Sequence, residues 1–103
     1  MRAQPTALGW IDTTVSIAPE WEAAQVRRLA RQLGYVLIWS PEDTLLPLVD
    51  QVRVVDVDAV ITPAPTHLGV IMLHSVMCIA DIETDCPRMS FARWAAMPPG
   101  RPG

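Results

Sequence analysis

Leu8-Gly9-Trp10-Ile11-Asp12-Thr13-Thr14-Val15-Ser16 is the stretch on which the reading of the fold turns. Leu8 to Ile11 has the apolar run of a buried strand, and Asp12, Thr13, Thr14 and Ser16 supply the polar loop that ends it. In an open α/β sheet, ligands and chemistry gather outside the carboxyl ends of the strands, where the strand order reverses. The same nine residues therefore predict the middle of a sheet and the mouth of its crevice.

Working outward, Ala7–Thr13 is predicted as strand one. Pro19 suits the first turn of a helix, where its missing N–H costs nothing. Glu20 and Glu22 at the start and Arg27, Arg28 and Arg31 further on match the helix dipole, and Gly34 is a natural stop. Ala23, Val26, Leu29, Ala30 and Leu33 recur at helical spacing and predict its core face. Tyr35–Trp39 is a continuous apolar run, which predicts a strand buried on both faces of a parallel sheet. Asp43 or Thr44 is read as the cap of a second helix over Leu45–Val55, with Pro47 in its first turn. Asp58–Thr62 is strand three.

Thr66 is read as the cap of a third helix over His67–Ile79, with Leu68, Ile71, Met72, Ser75, Val76 and Ile79 facing inward. Val70, Leu73 and Met77 leave apolar groups on another side, which marks either deep burial or a partner surface. Ile82–Cys86 is a short fourth strand. Met89–Met97 is a short helix or an arm carrying Phe91 and Trp94. This alternation predicts an α/β fold with a small three-layer, open, mostly parallel sheet in the order 2-1-3-4. Residues 1–97 are expected to form one domain, and 98–103 a disordered proline–glycine tail.

Composition narrows the function. A net charge of -3 over 103 residues argues against broad, non-specific nucleic-acid binding. All eight basic residues are arginine, so lysine chemistry is excluded. Cys78 and Cys86 lack metal or disulfide-framework spacing. No apolar run reaches the ~18 residues of a membrane span. With no signal peptide read at the start, the expectation is a soluble, cytoplasmic protein with no cofactor and no membrane association.

Three stretches carry a family resemblance. Gly9-Trp10-Ile11-Asp12-Thr13-Thr14 stands where the family has Gly-Tyr-x-Arg-x-Ser. Gln25 through Val36 looks like the family's first helix running through a Gly-Tyr into the second strand. Leu45 to Leu68 looks like its second helix, third strand and following arginine motif. Over residues 8–85 the pattern resembles the N-terminal catalytic domain of serine recombinases, the resolvase and invertase family. The catalytic residues do not carry over. Thr14 stands at the nucleophilic serine and Asp12 at the strand-one arginine. Thr66, His67 and Val70 fall on the Asp-Arg-x-x-Arg motif. Neither His67 nor Val70 replaces a guanidinium fork, and Asp12 would repel a phosphate. The resemblance thus implies a resolvase-like fold without recombinase catalysis.

The candidate switch-point pocket comprises Asp12, Thr13, Thr14, Ser16, Ser40, Thr62 and His67, with no catalytic or metal-binding role assigned. The candidate interface comprises Val70, Leu73, Met77, Phe91 and Trp94, with Trp21 and Trp39 as further large aromatics. The expectation is a non-enzymatic homodimer that associates with itself or a protein partner, accessory or regulatory to a DNA-related process. The alternative is a Mg-dependent nuclease or phosphate-acting enzyme. Asp12 followed by Thr-Thr-Val is similar to the start of PIN-type nucleases, and such a site would need Asp12 to converge with Glu42, Asp43 and Asp81. A Ser16–His67–Asp12 triad can also be drawn, but no nucleophile elbow supports it. His67 and His74 alone do not make a zinc site.

Overall fold

A computed structural model describes residues 4–40 and 44–93. Among the described residues nine elements follow the chain. They are β1 (Thr6–Gly9), α1 (Pro19–Leu33), β2 (Val36–Trp39), α2 (Leu48–Val55), β3 (Ala59–Thr62), a 3-10 turn (Pro65–His67), α3 (Gly69–Met77), β4 (Asp81–Asp85) and β5 (Arg88–Phe91). The five strands form one sheet in the order β2-β1-β3-β4-β5. The first four are parallel, and β5 returns antiparallel to β4.

The period-2 alternation of the central strands divides the core. Ala7, Ala59 and Ile61 pack with Val26, Leu29 and Ala30 of α1 on one face. Leu8, Val60 and Ile82 pack with Leu48 and Val52 of α2 and with Leu68 and Val76 around α3 on the other. Helices thus cover both faces, and β3 is buried along its whole length. Gly34 ends α1 at φ 81° and Asp56 ends α2 at φ 60°. Both close their helices in the left-handed region.

Several expectations are corrected. Strand one is four residues long and stops at Gly9. Tyr35–Trp39 contributes an edge strand, not one buried on both faces, and Val36 and Trp39 are exposed. The second helix begins at Leu48 with Pro47 as its cap residue. Thr44 lies outside it, its hydroxyl accepting the Leu46 N–H at 3.2 Å. The third helix is broken into the 3-10 turn and α3, and Thr66 caps neither by its side chain. On α3, Ile71 was expected inside but is 83% exposed. Leu73 and Met77, expected at an interface, pack against the core, as does Phe91. Val70 is exposed as expected. The reason is the displaced start: α3 opens at Gly69 (φ 72°), which rotates its inward face relative to a helix begun at His67.

The arm predicted over Met89–Met97 starts inside β5, which begins one residue earlier and pairs Asp85 with Arg88 and Ile82 with Phe91 across a Cys86-Pro87 turn. The Thr84 hydroxyl donates to the Pro87 carbonyl at 2.6 Å and ties that turn. Trp94, Glu42, Asp43 and the stretch 98–103 lie outside the described residues. No helix among the described residues is long and apolar enough to cross a membrane.

Candidate functional site

The loop after β1 is held by its own polar residues. The Asp12 carboxylate accepts the Thr14 hydroxyl at 2.7 Å and the Thr14 N–H at 2.9 Å. The Val15 and Ser16 amides donate to the Asp12 carbonyl. The Thr14 hydroxyl, then the Thr14 amide, hold the Asp12 carboxyl below its ordinary pKa. Asp12 is therefore the anchor of a tight turn.

A second set of contacts joins this loop to the 3-10 turn. The Asp12 amide donates to His67 Nδ1 at 3.0 Å, and the Trp10 indole N–H donates to the His67 carbonyl at 3.0 Å. Because Nδ1 accepts, the proton of the neutral ring sits on Nε2, which lies 3.9 Å from Glu22 Oε2. The Ser16 hydroxyl donates to Glu22 Oε1, and the Ile17 amide donates weakly to Oε2 at 3.4 Å. The Ser16 contact, above all, holds the Glu22 carboxyl below its ordinary pKa. The order is serine, carboxylate, imidazole, backbone amide. A nucleophilic triad needs the imidazole next to the serine. Here the carboxylate stands between them, and Asp12 meets the ring through its main chain. The cluster is a structural staple between α1, the β1 loop and the 3-10 turn.

Of the seven expected pocket residues, Asp12, Thr14, Ser16 and His67 are brought together. Thr62 is fully buried, and among the described residues its hydroxyl has no hydrogen-bond partner. Thr13 and Ser40 line a different space. His67, which is 4% exposed, and Trp10 occupy the mouth between β1 and β3, where the crevice was expected. The open cleft lies one strand over, at the carboxyl ends of β1 and β2. It encloses about 680 Å³ between Gly9, Trp10, Ile11 and Thr13 of the β1 end, Pro19, Ala23 and Arg27 of α1, Trp39 and Ser40 of the β2 end, and Thr44, Leu46 and Gln51 beyond it.

Gly9 makes room for this arrangement. It pairs with Trp39 in the sheet register, and a Cβ on Gly9 would stand 2.7 Å from the Trp39 ring. The indole thus lies across β1, where only glycine admits it. Glu22, Arg27, Trp39 and Gln51 were not in the expected pocket. Glu22 and Arg27 read as helix-dipole charges, Trp39 as part of a buried strand and as a further large aromatic beside the candidate interface, and nothing in the sequence singles out Gln51. Asp81 opens β4 at the amino end of the sheet, where it accepts the Arg93 amide at 2.6 Å. Asp12 follows the carboxyl end of β1, so these two carboxylates cannot share an ion. Among the described residues, no group of three or more metal-ligating side chains converges.

Fold and site together define a small open α/β domain with a stapled switch-point loop and a cleft beside it. Comparison with protein-family models, curated proteins and solved structures returned no match for this chain.

Proposed function

We propose that this chain is a non-catalytic, resolvase-like α/β domain that works by self-association through the amino-terminal half of α3. One observation carries the reading. Val70 and Ile71 stand 83% exposed beside an apolar groove of about 590 Å³ floored by Pro47, Val49, Leu68 and Met72. Contiguous apolar surface of this kind marks interaction sites.

The occupant is a second copy. Helix α3 carries no Asp, Glu or Arg, so it offers nothing to select a charged partner. Two copies of a chain of net charge -3 meet with least repulsion through an uncharged face. A two-fold pairing of like surfaces also closes on itself and leaves no open patch. The resemblance to resolvases would set such a dimer beside a DNA-related process as an accessory. That step rests on likeness of fold, which carries no activity by itself.

The test is mass in solution by sedimentation equilibrium. A mass near twice 11.4 kDa is expected at micromolar concentration. Val70→Glu combined with Ile71→Glu should give a folded monomer with an unchanged far-UV spectrum. A wild-type monomer at every concentration, or a dimer that survives both glutamates, overturns the reading.

A further inference from the structure

The His67 ring is shared between α1 and the β1 loop in a way that its neutral form alone allows. A main-chain N–H can only donate, so the 3.0 Å contact from the Asp12 amide requires a bare lone pair on Nδ1. Nε2 already carries the proton of the neutral ring, so a second proton has one place to go, which is Nδ1. There it turns an acceptor into a donor and sets one N–H against another. The ring is 4% exposed, which leaves little water to take over the displaced amide while the loop keeps its place. Proton and hydrogen bond therefore exclude each other.

The surroundings decide what a charged ring does next. On α1, Glu22 Oε2 stands 3.9 Å from Nε2, and the Ser16 hydroxyl and Ile17 amide both donate to that carboxylate. On the β1 loop, the Asp12 carboxylate is turned to Thr14 but lies within electrostatic reach of the ring. Asp85, at the end of β4, is turned to Gln25 and Arg28 of α1. Along the 3-10 turn and α3 the next titratable side chain is His74, which is exposed. The charges that face the ring are thus carboxylates, and the one within 4 Å belongs to α1. A protonated His67 keeps its hold on α1 through Glu22 and loses its hold on the β1 loop. The remaining bonds of the Asp12–Thr14 turn are internal to it, so they do not tie it to the 3-10 turn.

We propose that the staple is a proton-operated latch. Uptake of a proton at His67 Nδ1 frees the turn at Asp12 from the 3-10 turn and loosens the mouth between β1 and β3, while the sheet below stays folded. The sheet does not depend on the latch. Strand β1 ends at Gly9, and Leu8 pairs with Val60 in the fully buried centre.

An NMR titration of the full chain from about pH 8 to about pH 5, the range in which histidine changes charge, tests this. Ring ¹⁵N shifts report the charge on His67. Hydrogen exchange, expressed as protection relative to a free amide at the same pH, reports the Asp12 bond. Asp12 protection should fall about ten-fold or more as the ring charges, with the same midpoint, as one hydrogen bond is lost. The Leu8 and Val60 amides should keep theirs. His67→Asn retains an acceptor that takes up no proton in this range, so Asp12 protection should lose its pH dependence. Glu22→Gln removes the counter-charge, so the transition should move to lower pH. His74→Gln should leave it in place. If His67→Asn does not fold, the wild-type titration and Glu22→Gln decide. Asp12 protection that stays level while the ring charges overturns the proposal, as does a ring that stays neutral down to about pH 5. So does loss of Leu8 and Val60 protection at the same midpoint, which is unfolding of the whole domain, or a transition that persists in His67→Asn or stays put in Glu22→Gln.

Discussion

Replacing His67 by leucine tests the staple most directly. The ring is 4% exposed, and its Nδ1 is the acceptor for the Asp12 amide at 3.0 Å. Leucine fills nearly the same space but offers no acceptor. The Trp10 indole bond survives, because it uses the main-chain carbonyl of residue 67. The variant loses the 3.9 Å approach of Nε2 to Glu22 and one amide partner inside a half-buried loop, and the latter costs about 1–3 kcal/mol when the donor is left unsatisfied. For a domain near this size each kcal/mol moves Tm by roughly 4–8 °C. A loss of about 2 kcal/mol therefore lowers Tm by roughly 8–16 °C. Thermal unfolding followed by circular dichroism reads this shift. Amide hydrogen exchange at Asp12 should speed up in the same variant. In the wild type, ¹⁵N spectra of the imidazole should show the Nε2–H form. His67→Asn, whose Oδ1 takes the place of Nδ1, should restore slow exchange at Asp12 even where the smaller side chain costs stability. A leucine variant with unchanged Tm and unchanged Asp12 exchange would refute the reasoning.

Two further outcomes follow from the same geometry. Gly9→Ala drives a Cβ to 2.7 Å from the Trp39 ring, so the half-exposed indole must swing away at a cost of about 1–3 kcal/mol; a Trp39→Leu background should largely remove that cost in a double-mutant cycle, and simple additivity would contradict the contact. Glu22 is held below its ordinary pKa by Ser16, so its ionised form stabilises the fold above the ordinary carboxylate range, and that contribution disappears as pH falls through the lowered value. The Tm gap between wild type and Glu22→Gln should accordingly narrow from neutral pH to about pH 3, and a gap independent of pH would show that Glu22 contributes nothing through its charge.

The parallel sheet and its order were legible because hydrophobic run length and helix stops are local signals. Pro19 opens α1 and Gly34 ends it as their chemistry dictates. Strand β5 was not legible, since Cys86-Pro87 is not a dipeptide that announces a hairpin and Arg88–Phe91 is exposed over most of its length. The inward face of α3 was read correctly at Leu68, Met72, Val76 and Ile79 but misplaced at Ile71, Leu73 and Met77, because the chain breaks at Gly69 (φ 72°) and does not run as one helix from His67. The staple was half visible. Asp12, Ser16 and His67 could be named, but the order in which they touch could not. Gln51 carried no sequence signal, because its place beside the cleft exists only once α2 and the β1 and β2 ends are in place.

The central position of β1 has a kinetic side. It is the earliest strand in the chain, yet Leu8 is flanked by Ile38 and Val60. Its apolar residues cannot be enclosed until β3 has been synthesised, and joining them closes a long loop against chain entropy. Until then Ala7 and Leu8 present unpaired main-chain edges and bare side chains to the cell. A helix α1 that forms early, by its own dipole-matched ends, would be the first cover available to them. The strand that organises the finished sheet is thus the one most in need of shelter while the sheet is being made.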